Sequence, residues 1–141
     1  MKFIRIKNYD EKVSKFLFNL RNKNYVRKNS LNKKIISYKN HHNWFKNIIT
    51  KSSLNIILFK KTMVGFIRLE KNKNFTDCSW AVLNKFQGNN IATKGLRNVT
   101  NQKIKYRAKI KNDNHASTKV AKKSGFNLKL KRNNIQYFYK N

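Results

Sequence analysis

The stretch that decides the fold runs from Cys78 to Val99 and reads CSWAVLNKFQGNNIATKGLRNV. Its first part, Cys78 to Leu83, is typical of a strand, while Ala92, Leu96 and Val99 recur at helical spacing. A Gly/Asn turn joins the two. Such a turn leaves several N–H groups unpaired and runs straight into the positive end of a helix dipole. The stretch therefore predicts a binding site for an anion such as phosphate.

A second motif follows in the C-terminal third of the chain. Asn114 and Ser117 open another predicted helix, which ends at Gly125-Phe126. A pair of spaced motifs in the right order is far harder to obtain by chance than either motif alone.

Together the two motifs resemble the GCN5-related N-acetyltransferase (GNAT) family. The family's pyrophosphate loop, Gln/Arg-x-x-Gly-x-Gly/Ala, corresponds to Gln87–Ala92, with Asn90 where the family has Gly. Asn is the residue that next best tolerates positive φ, so the loop conformation remains accessible. The family's Asn-x-x-Ser, then seven residues, then Gly-Phe, corresponds to Asn114, Ser117 and Gly125-Phe126.

The resemblance implies acetyl-coenzyme A as the acetyl donor and no metal. It implies that the fourth and fifth strands splay apart, which leaves free N–H groups near Val82 and Leu83 to bind pantetheine and polarise the thioester carbonyl. The donor-binding residues that it implies are Val82, Leu83, Gln87, Gly88, Asn89, Asn90, Ile91, Ala92, Thr93, Asn114 and Ser117.

The predicted fold class is α+β, a three-layer arrangement with a mixed central sheet of about seven strands and four helices. The predicted strands are Phe3–Ile6, Leu54–Phe59, Met63–Glu70, Asp77–Leu83, Ile104–Ile110, Phe126–Leu130 and Ile135–Tyr139. The predicted helices are Asp10–Arg21, one capped by Ser37, one through Ala92 and Val99, and Asn114–Ser124. Hairpin turns are expected at Lys60–Thr62 and at Arg132–Asn134, and residues 22–32 have no clear period.

The chain has 141 residues, a length that predicts a single domain over residues 1–141. No apolar run approaches a membrane span, and the N-terminus lacks the apolar core of a secretory signal. Cys78 is the only cysteine, and we expect a small buried side chain there. These features predict a cytoplasmic location. For the oligomeric state, a monomer and a homodimer both stay open.

The charge is strongly one-sided, with 34 Lys and Arg against 5 Asp and Glu and a formal net charge of +29. The absence of proline and the abundance of Lys and Asn resemble the bias of an AT-rich genome. The basic residues follow the whole chain and form no stripe, so we expect no specific nucleic acid partner. A basic nucleic-acid-binding module is the alternative class, favoured by the charge and by the aromatic run Tyr137–Tyr139.

The candidates for proton transfer are Asp77 and His41. Many family members carry Tyr four residues after the motif Ser, and this chain has Ala121 there. Asp77 lies where relatives often place a strand carboxylate, and its alternative is a solvated charge at a strand end. A water relay, with proximity and backbone donors, is the remaining route.

The N-terminal half points to a substrate class. Its spacing of Ile-Ser, His and Trp-Phe at Ile36–Phe45 resembles acetyltransferases that modify a UDP-linked 4-amino sugar. The predicted substrate-binding residues are Arg21, Asn22, Arg27, His41, Trp44 and Arg68. An ordinary amphipathic helix with Trp44 in the core is the alternative for this segment.

So few carboxylates disfavour polycationic acceptors and agree with an anionic nucleotide sugar. The alternative function is acetylation of a protein N-terminus, as by ribosomal-protein acetyltransferases.

Overall fold

Seven strands form one sheet with helices on both faces in the computed structural model, which describes residues 1–141. The strands are β1 (Lys2–Ile6), β2 (Ser53–Phe59), β3 (Thr62–Lys71), β4 (Thr76–Val82), β5 (Tyr106–Lys111), β6 (Asn127–Arg132) and β7 (Ile135–Lys140). The helices are α1 (Glu11–Arg21), α2 (Asn24–Asn29), α3 (Tyr38–Lys51), α4 (Ile91–Val99) and α5 (His115–Lys123). The strand order is β1-β2-β3-β4-β5-β7-β6. This is the predicted fold class, with one helix more than predicted.

The additional helix is α2, in the segment where the sequence shows no period. None of its residues is fully buried, and Val26 alone packs against the core as a partly buried apolar side chain. Hydrogen bonds to distant parts of the chain also hold α2 in place. The Tyr25 hydroxyl accepts a hydrogen bond from the Asn84 N–H at 2.9 Å, and Lys111 Nζ donates to Lys28 O at 3.1 Å. The prediction of four helices was therefore wrong. The fifth helix, α2, depends on tertiary contacts that a local sequence pattern does not show.

Short-range side-chain hydrogen bonds start three of the helices. The Asp10, Ser37 and Asn114 side chains accept from the N–H groups of Val13, Asn40 and Ser117 respectively. Each satisfies one of the donors that a helix start leaves unpaired.

The hairpin turns also follow local chemistry. Lys60 and Lys61 have φ of 50° and 65°, and Asn133 and Asn134 have φ of 52° and 64°. Paired positive φ values match the right-handed twist of the flanking strands. Both predicted turns are confirmed.

The core is divided between the two faces of the sheet. Leu17 from α1 and Phe45 from α3 pack with Ile56 on one face. Leu96 from α4 packs with Ile57 on the other, since neighbouring strand residues point to opposite sides. No helix has the length and apolar character needed to cross a membrane.

Cys78 is buried in this core, as expected. Burial, and secondarily the Asp77 charge, raise the pKa of its thiol to about 12. The thiol is therefore un-ionised at neutral pH.

The sheet opens between β4 and β5. These parallel strands pair only at Thr76 with Tyr106 and at Asp77 with Arg107. Beyond Asp77, β4 continues to Val82 without a partner on that side. The predicted splay is thus present, and it creates the gap in which the site lies.

Candidate active site

The turn after β4 is shaped by two left-handed residues. Gly88 has φ of 85° and Asn90 has φ of 59°. The side chain of Gln87 turns back and donates from Nε2 to Val82 O at 3.2 Å. The turn is therefore held against the end of β4, and its backbone leads directly into α4.

Every backbone N–H from Gly88 to Thr93 lacks a hydrogen-bond partner within the chain, whereas the Gln87 N–H donates to Asn84 O at 3.1 Å. Asn90, the N-cap of α4, makes no side-chain capping bond, unlike the caps of α1, α3 and α5. This row of donors at a helix N-terminus, which we call the amide cradle (residues 88–93), fits a diphosphate group.

A second set of free donors lies in the gap between β4 and β5. The Leu83 N–H donates to Val64 O on β3 at 2.8 Å, and the Thr76 N–H donates to Lys105 O at 2.8 Å. Because donors alternate in direction along a strand, the N–H groups of Trp80 and Val82 face the gap. The expectation that Leu83 offers a free N–H was wrong, because that N–H donates to β3. Trp80 supplies the second free donor, beside Val82.

Two clefts meet at this gap. The first, which we call the cradle cleft, has a volume of about 610 Å³. Its lining includes Val82, Gln87, Gly88, Asn90, Ile91, Ala92, Thr93, Asn114 and Ser117 from the implied donor-binding set. Leu83 and Asn89 do not line it. Lys28, Lys119 and Lys123 add positive charge to its walls. The residues present therefore suit a long, anionic ligand such as acetyl-coenzyme A.

The second cleft, which we call the arginine cleft, has a volume of about 790 Å³. Arg21, Arg27, Trp44 and Arg68 line it. Seven residues line both clefts: Val26, Asn29 and Ser30 in and just after α2, and Trp80, Ala81, Asn114 and Ser117 at the gap. The clefts therefore meet between α2 and the free edge of β4. A ligand in each cleft can bring its reacting end to the free edge of β4.

In the arginine cleft, two guanidinium groups lie close to the indole ring of Trp44. Arg21 Cζ lies 3.6 Å from the Trp44 ring centroid, and Arg68 Cζ lies 5.9 Å from it. Arg68 forms an ion pair with Glu70 at 3.2 Å, whereas Arg21 has no acidic partner. Burial, and then repulsion by Arg68, lower the pKa of Arg21 to about 10. The cleft therefore contains an uncompensated, partly desolvated positive charge.

His41 does not reach either cleft. It is fully buried, its Nε2 lies 2.8 Å from Ser14 O, and its Nδ1 lies 3.0 Å from Arg21 Nη1. Burial, and then the Arg21 charge, lower the pKa of His41 to about 4. The predictions that His41 acts as a base or binds substrate directly were therefore wrong, because both ring nitrogens are engaged inside the protein.

Asn22 is also engaged within the chain. Its side-chain amide donates to Ile36 O at 2.9 Å and accepts from the Ile36 N–H at 2.8 Å. The residue ties the end of α1 to the segment that precedes α3 and does not line the arginine cleft. The prediction that Asn22 binds substrate directly does not match this position.

Asp77 lies on the wall of the arginine cleft, but its carboxylate is held by Arg107. Arg107 Nε and Nη2 donate to its two oxygens at 2.7 and 3.0 Å. The guanidinium also stacks on Phe75, 3.8 Å from the ring centroid. This bidentate pair engages both carboxylate oxygens and fixes their orientation. This geometry fits a structural role, in which the ion pair holds β4 and β5 together at their last paired position, better than a role as general base.

Sequence reasoning missed Tyr25 and Trp80, which both line the cradle cleft. Tyr25 lies on α2, whose sequence shows no helical periodicity, so no local signal marks it. In the sequence, Trp80 is recognisable only as a strand residue. It lines the cleft because β5 diverges from β4 before this position. Ala121 is fully buried and offers no proton donor. The Ser117 hydroxyl, by contrast, has no hydrogen-bond partner in the chain and lies where the two clefts meet.

Comparison with known proteins supports the same chemistry. The family model described as acetyltransferase (GNAT) domain matches residues 5–127. No curated protein sequence matches the chain.

Solved structures share the fold at low identity. A ribosomal-protein-alanine N-acetyltransferase from Brucella melitensis is 16% identical, with a TM-score of 0.78 and 99% of each chain covered. Spermidine N-acetyltransferase from Vibrio cholerae, in complex with CoA and spermine, is 11% identical, with a TM-score of 0.81 and coverage of 98% of this chain and 93% of that one.

An aminoglycoside acetyltransferase in complex with coenzyme A is 10% identical, with a TM-score of 0.78 and coverage of 99% of this chain and 94% of that one. The family model covers most of the chain, and the amide cradle lies within the matched range. The chain therefore belongs to the GNAT family and is an acetyl-coenzyme A-dependent N-acetyltransferase.

Proposed function

We propose that the enzyme acetylates the amine of an acceptor that also carries phosphate, most specifically the 4-amino group of a UDP-linked amino-deoxy sugar. The observation that carries the proposal is the Arg21 guanidinium, which has no acidic partner and lies beside Arg68 in the arginine cleft. Arginine binds phosphate oxygens bidentately, and a partly desolvated guanidinium gains most from such a partner.

The carboxylates of the arginine cleft support the same substrate class. Glu70 is paired with Arg68, and Asp77 is paired with Arg107. A polycationic acceptor such as a polyamine or aminoglycoside would need free carboxylates to replace its water. Neither acid is free, so the arginine cleft favours an anion although fold relatives act on spermidine and aminoglycosides.

The proposed chemistry uses the meeting point of the clefts. Bound acetyl-coenzyme A supplies the acetyl thioester, and the acceptor amine forms the amide as the thiol departs. The N–H donors of Trp80 and Val82 would stabilise negative charge that develops on the carbonyl oxygen. The Ser117 hydroxyl is available there as a proton donor. We place this reaction in the cytoplasm.

The test is a turnover panel with acetyl-coenzyme A, in which thiol release and product mass are measured. The acceptors are a UDP-4-amino-4,6-dideoxy sugar, a ribosomal-protein N-terminal peptide and spermidine. We expect turnover of the sugar nucleotide alone. The reverse result, with the peptide as the only acceptor, would replace this proposal with the protein N-terminal reading that the fold likeness to a ribosomal-protein enzyme also favours.

A further inference from the structure

The nearest partner of each His41 ring nitrogen has a hydrogen-bonding role that cannot change. Ser14 O is a carbonyl oxygen, which only accepts, and it lies 2.8 Å from Nε2. The Ser14 hydroxyl, which can donate or accept, lies farther from Nε2, at 3.3 Å, and can accept from a protonated Nε2. The Arg21 guanidinium only donates, and its Nη1 lies 3.0 Å from Nδ1. Nε2 must therefore carry the proton, and Nδ1 must present its lone pair to Arg21. This geometry defines a neutral imidazole in a single tautomer.

The consequence concerns the charge on Arg21. A carboxylate in place of His41 would hold the guanidinium equally well but would neutralise it. The imidazole fixes one edge of the guanidinium, and Trp44 supports its face at 3.6 Å, while neither group carries a negative charge. Arg21 is thus held rigidly on the wall of the arginine cleft with its full charge available.

We infer that His41 is a positioning residue: as a neutral acceptor it orients the Arg21 guanidinium, without neutralising it, to receive an anionic group of the acceptor substrate. The inference rests on the proposed function only in assigning that anion to the acceptor. It explains why a fully buried histidine, which lines neither cleft, is fixed by Ser14 at Nε2 and presents Nδ1 to Arg21.

The test measures anion binding to the arginine cleft with the cradle cleft already filled by coenzyme A. Sodium pyrophosphate and UDP-glucose, which has no amine to acetylate, are titrated separately by calorimetry. His41→Phe keeps a ring among the neighbouring aromatic side chains but removes both hydrogen bonds. His41→Gln offers an amide with one donor and one acceptor, so it is the rescue variant. Arg21→Met removes the receptor itself.

We expect His41→Phe to weaken pyrophosphate binding about tenfold, since the charged hydrogen bond that orients Arg21 is lost. His41→Gln should recover most of that loss. In the Arg21→Met background, His41→Phe should have no further effect, and no variant should change the affinity for coenzyme A. Equal pyrophosphate affinity in wild type and His41→Phe, or independent effects of the two substitutions, would overturn the inference.

The two probes separate this inference from the proposed function. If pyrophosphate binding depends on His41 while UDP-glucose does not bind, the positioning role stands and the sugar-nucleotide class fails. If UDP-glucose binds equally well to wild type and His41→Phe, the substrate class stands and the positioning role fails. Should His41→Phe not fold, nitrogen NMR of the wild-type imidazole decides, because a proton on Nδ1 of His41 at neutral pH would contradict the inference.

Discussion

Replacing Gly88 with Ala should impair acetyl-coenzyme A binding through backbone conformation alone. A Cβ at Gly88 would meet no atom within 4 Å, so the new methyl group has space. Its φ of 85°, however, costs an L-residue roughly 1–2 kcal/mol. Because no hydrogen bond within the chain fixes the Gly88 N–H, the backbone at residue 88 can relax in the variant, and ligand binding must restore its conformation. We expect the dissociation constant for acetyl-coenzyme A to rise about 5- to 30-fold.

Gly125→Ala is the matched control. Gly125 has φ of 93° and lies outside both clefts. Its turn is fixed by bonds from the Gly125 N–H to Lys122 O at 3.2 Å and from the Phe126 N–H to Ala121 O at 3.0 Å. The same strain should therefore lower the melting temperature and leave ligand affinity unchanged. Calorimetric titration and thermal unfolding measure both. Unchanged affinity in Gly88→Ala, or an equal loss in Gly125→Ala, would refute the reasoning.

Three further outcomes are expected. Asn90→Val should weaken acetyl-coenzyme A binding about tenfold or more, because a β-branched residue resists the φ of 59°, whereas Asn90→Gly should bind at least as tightly as wild type; titration of both variants checks this. The pKa of His41 falls from 6.5 to about 4 on folding, so the unfolded chain binds the proton first and about 3 kcal/mol of stability is lost as pH falls from 6.5 towards 4. Urea unfolding at both ends of that range should show a smaller loss in His41→Phe, and equal losses would contradict the assignment. Asp77→Asn should reduce stability by roughly 1–3 kcal/mol by leaving Arg107 without its counter-ion, with the acid limb of the rate profile unmoved; a large fall in kcat at unchanged stability would instead identify Asp77 as a base.

Much of the site was accessible from residues that are close together in the chain. The turn after β4, its left-handed residues and the start of α4 all lie within Gln87–Ile91, so their pattern is visible without any tertiary information. The caps of α1, α3 and α5 are likewise bonds across three positions. Alternating apolar residues indicated the strands in the same way, because the side-chain period of a strand is local.

Tertiary structure alone decided the role of each polar side chain that meets a distant partner. His41 meets Ser14 across 27 positions, Asp77 meets Arg107 across 30, and Asn84 meets Tyr25 across 59. A sequence pattern indicates which residues can titrate or donate, but the partner that occupies a lone pair or a proton is brought there by folding. The sequence by itself therefore determined the amide cradle and the fold class, and only the assembled chain determined that His41 supports an arginine and that Leu83 has no free amide.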